Sequence, residues 1–232
     1  MKNAINALKR KANQYQELKK QRGVTLLEII IVLGIIGIIA AGVVILANRA
    51  FTAQDISDLA DNTNSVRVGT TEAYKDSAEY PAMVSAVDLT KSTIGTATDT
   101  TGSIISTLVK MGKISAAEAF NGMSNDAFEI GGVKYVSEDA KAKGFYLVIN
   151  GLETEDCRNI ASQLGGQWDY VASGTAAAGA LVTPQPAELS GEPTTSILKT
   201  LTADTLSPTT IVAAGFCDAS TGSDNALILG SK

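Results

Sequence analysis

The hydrophobic pattern divides the first third of the chain into a basic polar leader, an apolar run and an amphipathic stretch. The apolar run extends from Ile29 to Ala47, has 19 residues and carries no charge. At about 1.5 Å per residue a helix of this length is roughly 28 Å long, enough to cross the hydrocarbon core of a bilayer. The pattern therefore predicts a membrane-spanning helix with its basic flank on the cytoplasmic side.

After Ala47 the apolar positions narrow to one stripe with spacings of three and four, which is typical of an amphipathic helix. The stripe consists of Ile56, Leu59, Thr63, Val66, Thr70 and Ala73. We expect one continuous helix that ends near Tyr74–Lys75, before Tyr80-Pro81. Counted from Val24 to Lys75 it has 52 residues and a length of about 78 Å. Only its second half has a polar face, so only that half should be embedded in a globular domain.

The later sequence predicts an α+β domain, in which Gly144–Ile149 is the strongest strand. Weaker strands are expected at 128–130, 134–136, 169–172 and 227–229, and helices at 103–111, 115–120 and 154–164. Thr154 is the expected N-cap of the last helix. Residues 172–192 are rich in Ala, Gly and Pro and are expected to form a loop.

Charge and composition exclude several classes of function. Beyond residue 23 the chain has 12 basic and 23 acidic side chains, a formal net charge of −11, which argues against nucleic-acid binding. There is no histidine and no glycine-rich phosphate loop after a strand. We therefore expect a structural protein without catalytic residues, cofactor or metal. Asp55, Asp58 and Asp61 are spaced like a cation site, although a solvated helix face has the same spacing.

The chain has two cysteines, Cys157 and Cys217, in the part that would be exported. An oxidising compartment favours a disulfide between them. The bond would close a loop of about 61 residues and stabilise the fold by roughly 4 kcal/mol on the chain-entropy model.

The junction Arg22-Gly23-Val24-Thr25-Leu26-Leu27-Glu28 resembles the prepilin signal of type IV pilins. This resemblance implies cleavage after Gly23 by a prepilin peptidase, which also N-methylates the new first residue, Val24. A 23-residue leader and a first mature valine resemble the type IVb branch. Residues 23–50, and Asn150-Gly151-Leu152 followed by Cys157, are similar to the toxin-coregulated and enterotoxigenic colonisation-factor pilins of that branch.

The resemblance implies the type IV pilin fold, with the second half of the long helix packed on an antiparallel sheet and a disulfide-bounded C-terminal region. The expected parts are a leader of residues 1–23, a helix of residues 24–75 whose hydrophobic half is 24–47, and a head of residues 76–232. Glu28 would pair with the N-terminal amine of a neighbouring subunit. Arg49 would pair with an acidic residue of another subunit, or would simply flank the membrane span.

The implied function is that of the major subunit of a type IVb pilus. Its partners would be copies of itself in a helical filament, the prepilin peptidase/N-methyltransferase, an inner-membrane platform, minor pilins and an outer-membrane secretin. A host-cell surface or a secreted colonisation factor would be a further partner. The precursor would reside in the inner membrane of a Gram-negative bacterium and the mature protein in surface pili for adhesion, aggregation and colonisation.

Four alternatives remain at this point. An ordinary secretory signal could be cut near Ala40-Ala41-Gly42, although apolar sequence continues beyond that site. A type II secretion pseudopilin or a minor pilin would share the signal. A membrane-anchored binding protein or enzyme would use the helix only as an anchor.

Within the helix, Gly34, Gly37 and Gly42 allow either close helix approach or local bending.

Overall fold

The structure, a computed structural model, describes residues 25–96, 103–219 and 222–232. A single α-helix, α1, extends over Leu26–Tyr74 without interruption. The chain forms two compact units that divide between Thr52 and Ala53, within α1. We call residues 26–52 of this helix its apolar segment and residues 53–74 its head segment.

The second unit, residues 53–232, contains a five-stranded sheet with short helices. The strand order is β1-β2-β5-β3-β4, and all neighbouring strands are antiparallel. The elements in chain order are α2 (Ile104–Lys110), β1 (Glu129–Val133), β2 (Gly144–Leu152), α3 (Thr154–Leu164), the 3₁₀ turn Gly165–Gln167, β3 (Tyr170–Thr175), β4 (Ile197–Lys199), α4 (Pro208–Ile211) and β5 (Asn225–Ser231).

Both faces of the sheet are covered, because side chains that alternate along the strands bury apolar groups on either side. On one face, Phe145 and Leu147 pack with Ile56 and Leu59 of the head segment of α1, and we call this the helix-side cluster. On the other face lies an outer cluster that includes Tyr146, Val148, Tyr170, Val182, Leu189 and Ile228. The helix therefore covers one face only, and loops after β3 cover the other.

The predicted fold class, a long helix with an antiparallel sheet and a disulfide, is confirmed. The expected helix at 115–120 is wrong. The Ser115 amide donates to Glu118 Oε2 at 2.8 Å and the Glu118 amide donates to Ser115 Oγ at 3.3 Å. This is the hydrogen-bonding pattern of a helix start, but the chain turns back at once to form the Phe120–Ala127 bridge.

Three smaller expectations are also wrong. Residues 134–136 are not a strand; β1 instead runs through Gly131-Gly132 to Val133, and Lys134 forms an isolated bridge with Glu188. Glu153, rather than Thr154, is the N-cap of α3; the Thr154 hydroxyl accepts from Asn225 Nδ2 at 3.5 Å. Strand β3 extends to Thr175, into the segment expected to be a loop, because β5 offers a pairing edge along its whole length.

Candidate assembly site

The first described turn of α1 is capped by Thr25. The Glu28 amide donates to Thr25 Oγ1 at 3.2 Å, and the Ile29 amide donates to the Thr25 carbonyl oxygen at 3.1 Å. Glu28 is thus the third residue of the helix after a threonine cap, the spacing of a capping box. A carboxylate in the first turn also interacts favourably with the helix dipole. This local role was not predicted above, although the spacing Thr25-x-x-Glu28 is a sufficient signal for it.

The side chains of the apolar segment of α1 are exposed on all faces of the helix. Every residue from Leu26 to Leu46 is exposed, and within the described residues α1 is long and apolar enough to cross a membrane. The helix is regular through Gly34, Gly37 and Gly42, and a Cβ added at any of these would contact nothing within 4 Å outside the local backbone. Close helix approach and local bending at these glycines both stay predictions.

Arg49 lies near the end of the apolar segment and is exposed. In the described ranges no acidic side chain comes within ion-pair distance of it. Its predicted partner on another subunit therefore stays a prediction, as does the simpler role of an arginine that flanks a membrane span.

The head segment of α1 is tied to the turn after α3 by a group of polar contacts. The Arg67 guanidinium donates to the Gln167 carbonyl oxygen and lies 5.3 Å from the centre of the Trp168 ring. Asn64 Nδ2 donates to Gln167 Oε1 at 2.9 Å. Trp168 is 1% exposed and stacks edge-on against Phe145, so it is a core residue. These contacts fix the helix against the sheet of the head.

The disulfide joins α3 to the segment that follows α4. Cys157 and Cys217 are bonded, with their Cα atoms 5.9 Å apart, and both are buried. The Arg158 side chain donates to the Phe216 carbonyl oxygen with Nε at 3.3 Å and Nη2 at 3.2 Å. Covalent and polar links therefore hold the same loop to α3.

The other candidate chemistry is absent from the part of the chain that the structure describes. Asp55, Asp58 and Asp61 are all exposed on α1, and no group of three or more acidic, histidine or cysteine side chains is placed to hold a metal ion. The row of aspartates is a solvated helix face.

Two polar features of the head were missed by the sequence analysis. The first is a network in which Asn150 Nδ2 donates to Asp126 Oδ2 at 2.7 Å and the Gly179 amide donates to the same oxygen at 2.7 Å. Ser124 Oγ donates to Asn150 Oδ1 at 2.8 Å. The network joins the end of β2 to two loops, which gives Asn150 a structural role in this chain.

The second missed feature is Glu129 in β1, which is 2% exposed and whose two carboxylate oxygens accept no hydrogen bond of normal geometry from the described residues. Loss of hydration raises its pKa to about 7. Burial, with the nearby Glu129 charge as a smaller cause, raises the pKa of the Tyr146 phenol to about 12. A carboxylate in a strand is ordinarily assigned to the solvent face, so the sequence contained no signal for this burial.

Comparison with known proteins begins at the N-terminal junction. Residues 18–44 match the family model described as the prokaryotic N-terminal methylation motif. The chain is 35% identical over 151 residues to toxin coregulated pilin of Vibrio cholerae serotype O1, covering 65% of this chain and 61% of that protein. It is 36% identical to a second Vibrio cholerae toxin coregulated pilin, with 66% and 62% coverage. The chain thus spans about three fifths of the length of the curated relatives it matches.

The crystal structure of TcpA, a type IV pilin from Vibrio cholerae El Tor biotype, matches with a TM-score of 0.59 and 20% identity, covering 77% of this chain and 99% of that one. This is the type IV pilin fold. The predicted resemblance of this chain to the toxin-coregulated pilins is confirmed by sequence and by structure. The relatives that it matches are pilins rather than enzymes.

The matched methylation motif includes the processing residues predicted for this chain. Gly23 and Val24, and the leader before them, lie outside the described residues. Cleavage after Gly23 and methylation of Val24 therefore stay predictions, and so do the assembly roles of Glu28 and Arg49.

Proposed function

We propose that this pilin is the major subunit of a type IVb pilus, held in the inner membrane by α1 and then polymerised through the same helix into a surface filament. The observation that carries the proposal is the exposed, uncharged helix surface from Ile29 to Leu46, with one carboxylate, Glu28, before it. Filament growth would use the methylated N-terminus and the assembly machinery that type IV pilins share. The filament would serve aggregation, adhesion and colonisation.

The apolar segment requires an apolar environment at every stage. Each Å² of apolar surface left in water is unfavourable by about 25 cal/mol, and contiguous apolar patches of this kind mark membrane or protein contacts. Lipid covers the segment in the precursor, and the helices of other subunits cover it in the filament. The same side chains serve both states, so transfer from membrane to filament leaves no apolar surface in water.

Glu28 supplies the specific contact in this transfer. Removal of residues 1–23 would leave a positive amine on Val24, four positions before Glu28 in the sequence. Two opposite charges 4 Å apart interact by about 4 kcal/mol at an effective dielectric near 20, and a lone charge inside an apolar bundle is strongly unfavourable. An amine paired with the carboxylate of a neighbouring subunit therefore fixes the axial register of the subunits.

The test of this mechanism compares Glu28→Val and Glu28→Gln with a matched control, Asp58→Asn. The control removes a carboxylate from the same helix at an exposed position of the head segment. Both Glu28 variants should be processed and reach the membrane, because the apolar run is intact. Fibre number should fall at least tenfold, more for valine than for glutamine, whereas Asp58→Asn should assemble.

Electron microscopy of shear-harvested fibres, with an immunoblot for subunit level, separates the outcomes. Abundant normal fibres from Glu28→Val would contradict the charge-pairing mechanism. Loss of the subunit itself would instead show that Glu28 acts through stability, for which its place in the capping box offers a route. Long fibres from wild type distinguish a pilus from a pseudopilus or a plain anchored protein.

Cleavage after Gly23 and methylation of Val24 are tested by a separate measurement. The intact mass of the surface protein should correspond to loss of residues 1–23 plus one methyl group. A mature start beyond Gly42 would favour ordinary secretion. Replacement of Gly23 with a bulkier residue should leave the full precursor in the inner membrane.

A further inference from the structure

Residues 80–86 cover the open edge of the sheet, and we call them the strap. Strand β1 is the outermost strand on that side, and its Gly132 amide donates to the Pro81 carbonyl oxygen at 2.7 Å. Tyr80 packs with the helix-side cluster and Met83 with the outer cluster. The strap therefore bends around β1 and contacts both layers of the core.

The strap lies so close to β1 because the strand has two consecutive glycines there. A Cβ on Gly131 would lie 2.6 Å from Met83 Cβ, and a Cβ on Gly132 would lie 2.9 Å from the Pro81 carbonyl oxygen. Neither position has room for a side chain. An edge strand that is left open is a template for pairing with another chain, and this close contact closes it.

Glu129 lies in β1 beneath the far end of the strap. The carboxyl is buried without a hydrogen bond from any described residue, although Ser85 and Ala86 of the strap and Val182 of the opposite loop contribute polar groups near it. The ionisable groups that face it are Asp126, from the turn before β1, and Tyr146, from β2. In the described ranges no basic side chain forms an ion pair with it.

We propose that Glu129 is a proton-controlled latch for the strap: the neutral carboxyl allows the strap to close over β1, and the ionised carboxylate opens it. Opening admits water to the carboxylate and uncovers the backbone edge of β1. The Asp126 charge acts in the same direction, because it repels the Glu129 charge, and Tyr146 stays neutral under ordinary conditions. The polar groups of the strap and of the loop at Val182 act in the opposite direction, but the loss of hydration outweighs them.

The direction of the pH effect follows from proton linkage. The pKa of Glu129 is about 7 in the closed state against an ordinary value of 4.5. Between these two values the closed state binds the proton more strongly, so closure is most favourable below pH 4.5 and weakens as the pH rises through 7. Each pH unit in that interval changes the ratio of closed to open by up to about tenfold.

Hydrogen exchange of the mature, full-length protein in detergent tests the latch, and no filament is needed. Protection factors, corrected for the intrinsic effect of pH on exchange, are compared at pH 5.5, 7 and 8.5 for peptides that cover 79–89 and 127–134. Wild-type protection in both should fall at least tenfold over this range, while the peptide that covers α3 should not change.

Glu129→Gln should make strap protection independent of pH, since the amide cannot ionise. Glu192→Gln, an exposed position, is the matched control and should behave as wild type. An equal pH dependence in Glu129→Gln and wild type would overturn the proposal, and so would wild-type strap protection that does not change with pH.

An infrared titration of the wild-type protein keeps the test decisive even if the glutamine variant fails to fold. The band of a buried protonated carboxyl should disappear with a midpoint near pH 7, together with the loss of strap protection. A buried carboxyl that titrates at a pH different from that of strap opening, or that does not titrate in this range, would show that Glu129 does not control the strap.

Discussion

The two segments of α1 have the same backbone but differ in what their side chains contact. The apolar segment exposes every side chain from Leu26 to Leu46. The head segment buries Ile56, Leu59, Thr63, Val66, Gly69 and Thr70 against the head. The head segment packs into the head and so contributes to its stability. The apolar segment is exposed, so its side chains are available for contacts with a membrane or with other subunits. Stability and assembly are therefore separable along one helix.

The largest expected effect is confined to the head and leaves the apolar segment unchanged. Cys217→Ser should lower the free energy of unfolding of the head by about 4 kcal/mol on the chain-entropy model. Trp168, the only tryptophan, is buried in the head, so its fluorescence reports head unfolding in denaturant. The double variant Cys157→Ser/Cys217→Ser controls for a reactive free thiol. An unchanged midpoint in both would show that the disulfide is dispensable.

A matched pair of leucines compares the two segments directly. Leu59→Ala should destabilise the head by about 3 kcal/mol, because it removes a fully buried side chain from the helix-side cluster. Leu33→Ala makes the same change at an exposed position and should leave the Trp168 unfolding curve unchanged. Its effect should be confined to fibre yield. Equal destabilisation by the two substitutions would contradict the separation of stability from assembly.

The smallest expected effect comes from a pair of arginines. Arg67→Met should lower the free energy of unfolding by about 1–2 kcal/mol, since it loses the contact over the Trp168 ring and the bond to the Gln167 carbonyl oxygen. Arg49→Met should leave head stability unchanged and reduce fibre number. Circular dichroism is the better measurement here, because Arg67 lies against the tryptophan. A normal number of fibres from Arg49→Met would show that Arg49 only flanks the membrane span and has no role in assembly.

Most of the fold could be predicted because its signals are local. The apolar run and the stripe from Ile56 to Ala73 predict α1 in both segments, and β2 is a continuous apolar strand. The three residues of β4 and the four of α4 carry too little periodicity to be detected. The failed helix at 115–120 has a true capping pattern that tertiary contacts override.

The residues of the candidate site and of the head also differ in whether the sequence could predict their roles. Glu28 could be found because a lone carboxylate beside an apolar run is conspicuous in the sequence. Glu129 could not, because its burial depends on a strap that lies about 45 residues earlier in the chain. Asn150 was singled out for its resemblance to known pilins, but its bonds to Asp126 and Ser124 join the end of β2 to a loop that is distant in sequence. Such contacts have no period that a sequence pattern can reveal.

The central position of β5 constrains the order in which the sheet can form. The hairpin of β1 and β2 and the pair of β3 and β4 meet only through β5, whose first residue lies 73 positions after Leu152 of β2. Without residues 225–231 the sheet is divided into two separate parts with open edges. The long closure favours slow folding, so both parts keep open strand edges until the last strand is added.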